Sequence, residues 1–356
     1  MNKSALLGTC LLIASGRAMA DVVVMSWGGD YGAAQVEAYN RPFTASTGIK
    51  APMLDADRPA TLVKAMVESN NVTVDVAEFE SPDAIRGCDE GFLERIDPAI
   101  LPPAPDGSPA TKDFLPGALT DCGVTTVVYS TVYAYDTRRL SQTPNTIADL
   151  FDLKRFPGKR AFRKSAKFTL EMALMADGVP APQVYKVLST PQGIKRAFAK
   201  LDAIKSHVVW YDANAEAARL LADGEVVMSV GTANRFFVAS VLEHRPINIV
   251  WDGQIYDYAV FVIPKGAPHL ADAKKYLAFA TDTKRLAAFT KLLPFGPARR
   301  SSLPLVGLYK DGKTDLRPYM PTNPDHMKNA VASSYDFWVD HDTELTERFN
   351  AWLAAK

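Results

Sequence analysis

Val124-Thr125-Thr126-Val127-Val128-Tyr129-Ser130-Thr131-Val132-Tyr133-Ala134-Tyr135 is a run of β-branched and aromatic residues with no glycine or proline to break it. A strand usually spans five or six residues, so an extended run of this length is read as a connector passing through two domains. On its N-terminal side, Val22-Val23-Val24-Met25 is a short apolar run stopped by Ser26-Trp27-Gly28-Gly29, which predicts a buried strand ending in a tight loop. Helical spacing follows from Ala33 to Thr44 and ends at Gly48. A second helical stretch, Ala60 to Ser69, leads into the strand Asp75-Val76-Ala77-Glu78-Phe79. This β-α-β alternation predicts parallel strands covered by helices on both faces, with ligands held beyond the carboxyl ends of the strands.

Leu101 to Pro116 is rich in Pro, Gly and Ser and reads as a surface loop. Beyond the long run a second alternating set begins. Helices are expected over Thr146–Phe151, Thr169–Ala176, Pro191–Ile204, Ala213–Ala222 and Ala271–Ala280, and strands over Val208–Tyr211, Val226–Val230 and Tyr258–Pro264. Helices through Phe349 to Trp352 close the second domain, and the chain shows no internal repeat.

Lys3, an apolar stretch from Ala5 to Ala14, and Ala18-Met19-Ala20 before Asp21 have the order of a secretory signal peptide, with cleavage expected after Ala20. A lipid anchor at Cys10 is the weaker alternative, because Leu7-Gly8-Thr9 is a poor lipobox. About 336 residues would remain, more than one hydrophobic core usually organises. The 40 basic and 40 acidic residues balance, which argues against nucleic acid or a polybasic membrane surface as partner. Cys88 and Cys122 are left as an even pair. In an oxidising compartment such a pair invites a disulfide, and two unpaired buried thiols are the alternative.

Catalytic arrangements are not evident. There is no Gly-x-Ser-x-Gly elbow and no His-Glu-x-x-His, and His207, His244, His269, His326 and His341 lack metal-ligand spacing. No catalytic residue, metal or cofactor is therefore expected. The strand ends are richer. Trp27, Asp30 and Tyr31 flank the first; Glu78 and Glu80 end the second; Trp210, Tyr211 and Asp212 end a later one; Trp251, Asp252, Tyr256 and Asp257 precede another. An aromatic wall attracts an ammonium through its quadrupole, and a carboxylate fixes it with a charge-assisted hydrogen bond. Taken singly, such residues more often cap a core or face solvent; their recurrence at four strand ends points to a site for an amine.

The opening Ser26-Trp27-Gly28-Gly29-Asp30-Tyr31, with Phe43 and Thr47-Gly48-Ile49-Lys50, resembles the start of bacterial periplasmic spermidine/putrescine-type binding proteins, family 1 extracellular solute-binding proteins of ABC importers. Asp89 to Asp97, Ala222-Asp223-Gly224-Glu225-Val226, Val262 to Pro268 and Pro294-Phe295-Gly296-Pro297 extend the resemblance over nearly the whole chain after the signal. It implies an α/β, type II periplasmic binding protein fold, each lobe a mostly parallel sheet flanked by helices, with a hinge of crossover strands. The first lobe would comprise 21–133 plus about 259–295, and the second about 134–258 plus 296–356. Cys88 and Cys122 sit where some members carry a bridge. The implied ligand residues are Trp27, Asp30, Tyr31, Glu80, Asp212, Arg235, Tyr256 and Asp257. The resemblance further implies a periplasmic monomer that captures a polyamine for an inner-membrane ABC permease, without binding nucleic acid. One departure matters. Where polyamine binders place acidic residues, this chain has Arg163, Lys164 and Lys167, anchored by the helix around Glu171-Met172-Ala173-Leu174, with Arg235 facing the same region. A cation there repels a dication and welcomes a carboxylate, so a zwitterion such as γ-aminobutyrate is the alternative ligand. A secreted hydrolase is the alternative of another class.

Overall fold

The computed structural model describes residues 21–355. The expected signal peptide and Cys10 lie outside the described residues.

Eleven strands form one continuous sheet: β1 (Val24–Ser26), β2 (Met53–Asp55), β3 (Val76–Glu80), β4 (Leu119–Thr120), β5 (Gly123–Asp136), β6 (Arg160–Arg163), β7 (Val208–Tyr211), β8 (Met228–Thr232), β9 (Ile247–Val262), β10 (Gly296–Pro297) and β11 (Val331–Ala332). Eight run in the order β2-β1-β3-β9-β5-β8-β6-β7, with β4 and β10 paired to β5 and β11 to β9. Two parallel triplets, β2-β1-β3 and β8-β6-β7, lie at the two ends and are the α/β units anticipated from the alternating pattern. Between them run β5 and β9, antiparallel to each other and to the triplet strands they meet. The first half of β5 therefore lies among the strands of one lobe and its second half among those of the other.

The connector expected at Val124–Tyr135 is β5, 14 residues long. Its partner was legible only in part. β9 runs for 16 residues from Ile247, whereas the apolar pattern predicts a strand from Tyr258. The difference has a local cause. Asp252, Gly253 and Gln254 interrupt the apolar pattern, and the ladder breaks its register between the Thr131–Ile255 and Tyr133–Val250 pairs, leaving residues 251–254 unpaired with β5. Gly253 holds φ at +75°, and a Cβ there would meet Ile147 at 2.6 Å. Across this break the buried Gln254 accepts from Ser130 Oγ at 2.7 Å and donates to the carbonyls of Pro321 and His326 at 2.9 Å each.

Each lobe has its own core. One draws on Val22 to Val128 and on Tyr256 to Ala298, centred on Tyr39, Phe43, Phe79, Phe261 and Tyr276. The second lobe packs both faces of its sheet. Tyr133 and Tyr135 of β5 face Leu150, Phe162 and Trp338, while the intervening Val132 and Ala134 face Leu220, Leu221 and Phe236. The helical stretch from Gly29 to Thr47 starts earlier than Ala33, passes through a π-helical turn at Val36–Asn40, and ends at Gly48 with φ at +77°.

Cys88, at the end of helix Ser81–Asp89, is bonded to Cys122, just before β5, with a Cα–Cα separation of 5.6 Å. The bond closes a loop of 34 residues against the root of a crossover strand. Replacing both cysteines by serine is expected to lower unfolding stability by roughly 3–4 kcal/mol. Urea denaturation of the double variant beside the wild type measures it; equal midpoints would show that the bridge is dispensable.

A charge-balanced cleft between the lobes

The carboxyl ends of β3, β6, β7 and β8 converge on the middle of β5 and β9. They enclose a cavity of about 250 Å3. Glu80 enters from the first lobe at the end of β3, and Tyr129 and Thr131 from β5. Arg163 ends β6, Tyr211 ends β7, and Thr232 ends β8. The loop 164–168 brings Ser165, Lys167 and Phe168 to the same wall, ahead of the helix Thr169–Ala176. Phe168 holds φ at +72°, a conformation L-residues rarely adopt, and it sets Lys167 and Thr169 side by side at the cavity.

Four charged groups govern the chamber. Lys167 Nζ lies 3.5 Å from Asp257 Oδ2, and Asp257 Oδ1 accepts the backbone N–H of Tyr258 at 2.8 Å. Burial raises the Asp257 carboxyl above its usual range, and Lys167 opposes the shift. Glu80 is raised by lost hydration and then by the Asp257 charge, with Lys167 and Arg163 acting against both. Tyr129, register partner of Asp257, is held well above the usual phenol value by burial, then by Asp257 and Glu80, and is therefore a neutral hydrogen-bonding group. Arg163 donates through Nε to the carbonyl of Asp212 at 3.3 Å, which orients the guanidinium.

A second chamber of about 220 Å3 adjoins the first and shares Glu80 with it. Its walls are Trp27, Phe79 and Pro59, with Asp57, Arg58 and Asp83 at the margin.

Of the residues anticipated from sequence, Glu80, Asp257 and Trp27 come together around this cleft. Tyr31 lies behind it: its hydroxyl donates to Glu78 at 3.0 Å and its ring packs edge-on against Phe289 and Phe295. Glu78 is fully buried and also accepts from Ser26, Gln35 and Thr126. Asp30 is exposed at a helix start. Asp212 is 76% exposed and pairs with Lys164 at 2.8 Å. Tyr256 is buried in the first core, edge-on to Tyr258. Arg235 is exposed on the helix Ala233–Phe237 and lines neither chamber. Tyr129, Thr131, Asn214 and Thr232 line the cavity without having been singled out. The polar residues inside the apolar run Val124–Tyr135 were the available signal for the first two.

One further pattern is settled by context. Gly307-Leu308-Tyr309-Lys310-Asp311-Gly312-Lys313-Thr314 fits the G-x-x-x-x-G-K-T of phosphate-binding loops. No strand leads into it and no α-helix opens at Lys313-Thr314, and Asp311 accepts the backbone N–H groups of Lys313 and Thr314, closing a local turn. Among the described residues no group of three or more His, Cys, Asp or Glu could hold a metal ion, and no helix is long and apolar enough to cross a membrane.

Residues 38–314 match the family described as bacterial extracellular solute-binding protein. The chain belongs to this family. Its fold is that of type II periplasmic binding proteins. It is 42% identical over 353 residues to the gamma-aminobutyric acid-binding protein of Pseudomonas aeruginosa, covering 99% of this chain and 96% of that one. Among solved structures, the Atu4243–GABA receptor superposes with a TM-score of 0.77 at 30% identity, over 94% of this chain and 98% of that one. The spermidine/putrescine ABC transporter substrate-binding protein PotD of Streptococcus pneumoniae gives a TM-score of 0.73 over 94% of this chain and 100% of that one, but at 15% identity it shares the fold alone.

The binding protein carries a further buried acid close to the cleft, on the helix that follows Lys167. Glu171, in the first turn of the helix that follows Lys167, accepts from Trp338 Nε1 at 2.8 Å and from the Tyr185 hydroxyl at 3.1 Å, while its Oε2 has no partner. Burial pushes its carboxyl up to about 7. The folded state thus keeps this proton to higher pH than the unfolded chain does. Its contribution is full in acid and is lost as pH rises from the usual glutamate range through about 7, amounting to at most about 3 kcal/mol. Glu171→Gln keeps both acceptor contacts and removes the ionisation. Thermal unfolding at pH 5 and pH 8 should show a smaller loss for the variant than for the wild type; parallel losses would mean that Glu171 ionises without penalty.

Proposed function

We propose that this protein captures a zwitterionic ω-amino acid of the γ-aminobutyrate type and delivers it to an ABC importer in the cytoplasmic membrane. The observation that carries the reading is the charge set of the cleft: Glu80, Arg163 and Lys167 line one chamber, and Asp257, buried beside it, lies 3.5 Å from the Lys167 ammonium. A dication entering there meets two fixed cations, whereas a zwitterion can place its carboxylate toward Arg163 and its ammonium toward Glu80. The names of the similar gamma-aminobutyric acid-binding protein and of the GABA receptor structure support the same ligand class over a polyamine.

The mechanism is capture without bond chemistry. Glu80 belongs to one lobe and Arg163 to the other, so a ligand touching both stabilises the closed arrangement over the open one by its differential contacts. Trp27 and Tyr129 exclude water, and the neutral hydroxyls of Thr131, Ser165 and Thr232 hydrogen-bond without adding charge. The closed form then docks on the permease.

A thermal-shift series tests the ligand class. At about 100 times its dissociation constant a ligand adds roughly 2.7 kcal/mol, read as a rise of a few degrees. γ-Aminobutyrate should produce the rise and putrescine should not; a rise with putrescine alone would overturn the reading. By calorimetric titration, Arg163→Ala should weaken γ-aminobutyrate at least tenfold, about 1.4 kcal/mol, and Arg235→Ala should leave it within about twofold. The reverse order would move the carboxylate site out of the chamber.

A further inference from the structure

The Lys167–Asp257 pair has a consequence for selectivity that the charge balance alone does not contain. Asp257 is 4% exposed and projects from a crossover strand, so its position is common to both lobes. Its only cationic partner among the described residues is Lys167, whose ammonium also sits 5.0 Å over the ring of Phe168 and whose side chain is about one-quarter exposed to the cleft. The other Asp257 oxygen is occupied by the Tyr258 backbone N–H. The ammonium of Lys167 therefore stands where a ligand ammonium would otherwise neutralise Asp257. Glu80, at the junction of the two chambers, is the carboxylate that lines the chamber Lys167 enters, while Asp57 and Asp83 line only the adjoining one.

We propose that Lys167 is a specificity-determining residue: its ammonium takes the place of a second ligand ammonium at Asp257, so the cleft accepts one ammonium, at Glu80, and rejects a diamine. The proposal rests on the ligand class inferred above. Removing the charge while keeping the stem leaves a buried carboxylate without its cation, a strongly unfavourable arrangement that an entering ammonium relieves. A diamine gains both carboxylates at once, while γ-aminobutyrate loses a cation that helps to hold its own carboxylate.

Lys167→Met and wild type are titrated calorimetrically with γ-aminobutyrate and with putrescine. Lys167→Met is expected to bind putrescine at least tenfold more tightly than wild type and γ-aminobutyrate more weakly. The gain should vanish in Lys167→Met/Asp257→Asn, because the carboxylate that Lys167 had covered is then uncharged. Lys167→Gln is carried in parallel, and circular dichroism establishes that each variant is folded. If γ-aminobutyrate weakens while putrescine is unchanged, Lys167 is a carboxylate contact only and the filter is wrong; if the gain persists in the double variant, the second ammonium goes elsewhere and the proposal also falls. The wild-type titrations separate the two readings. Failure of wild type to bind γ-aminobutyrate removes the proposed ligand class, whereas binding with an unaltered preference in Lys167→Met removes only the role of Lys167.

Discussion

The antiparallel pairing of β5 with β9 is the constraint on which the rest of the structure depends. A ladder of this length cannot belong to one lobe. Its ends are buried in separate cores, and its middle must cross the space between them. The cleft forms at that middle because parallel β-α-β units on either side direct their strand ends toward it. The register breaks at Thr125/Val127 and Thr131/Tyr133 bracket the crossing, where regular pairing would leave two flat strands with little freedom to bend. Gln254 and Ser130 tie the strands together at the second break, and Gln254 also anchors the segment that returns along the hinge to β11.

The same pairing determines which side chains can reach a ligand. Residues directly opposite on the ladder share a face, so Tyr129, which lines the cavity, and Asp257, which is buried against Lys167, lie side by side, while Tyr256 and Tyr258, one position either side of Asp257, are turned into the first core. Depth decides the roles of the two glutamates of β3. Glu78 lies inside the sheet beneath the helix from Gly29 and is satisfied by four neutral donors, including Tyr31. Glu80, two residues further, emerges past the strand end into the ligand space. The aromatic-plus-acid pattern at the first strand end is thus shared between two tasks: Trp27 lines a chamber, and Tyr31 secures the loop from behind.

Electrostatics in a partly enclosed chamber are stronger than in water, and a fixed lysine beside a buried aspartate changes what can enter. In this chain the loop 164–168 contributes Lys164 and Lys167, and the end of β6 contributes Arg163. On the proposed reading, these cations are what lets the fold shared with PotD accompany a cleft for another ligand class.

Local patterning determined much of the fold: the alternation of strand and helix, the unusual length of β5, the left-handed stop at Gly48, and the candidate status of Trp27, Glu80 and Asp257 were all written in spacing and residue type. The Cys88–Cys122 bridge was anticipated from the even pair of cysteines and from the resemblance, and the fold forms it by bringing the end of one helix to the root of β5. Two kinds of feature were decided only by tertiary structure. β9 was partly hidden because its polar residues at 252, 254 and 257 serve the hinge and cleft, so their burial follows from long-range pairing that no local period reports. The fate of the cations was equally non-local: Arg235 and Lys167 both lie just beyond strand ends, yet the short helix after β8 carries Arg235 to the surface and the left-handed Phe168 sets Lys167 against Asp257. Sequence specifies which residues can bear a charge; only the folded chain decides which charges share a low-dielectric space.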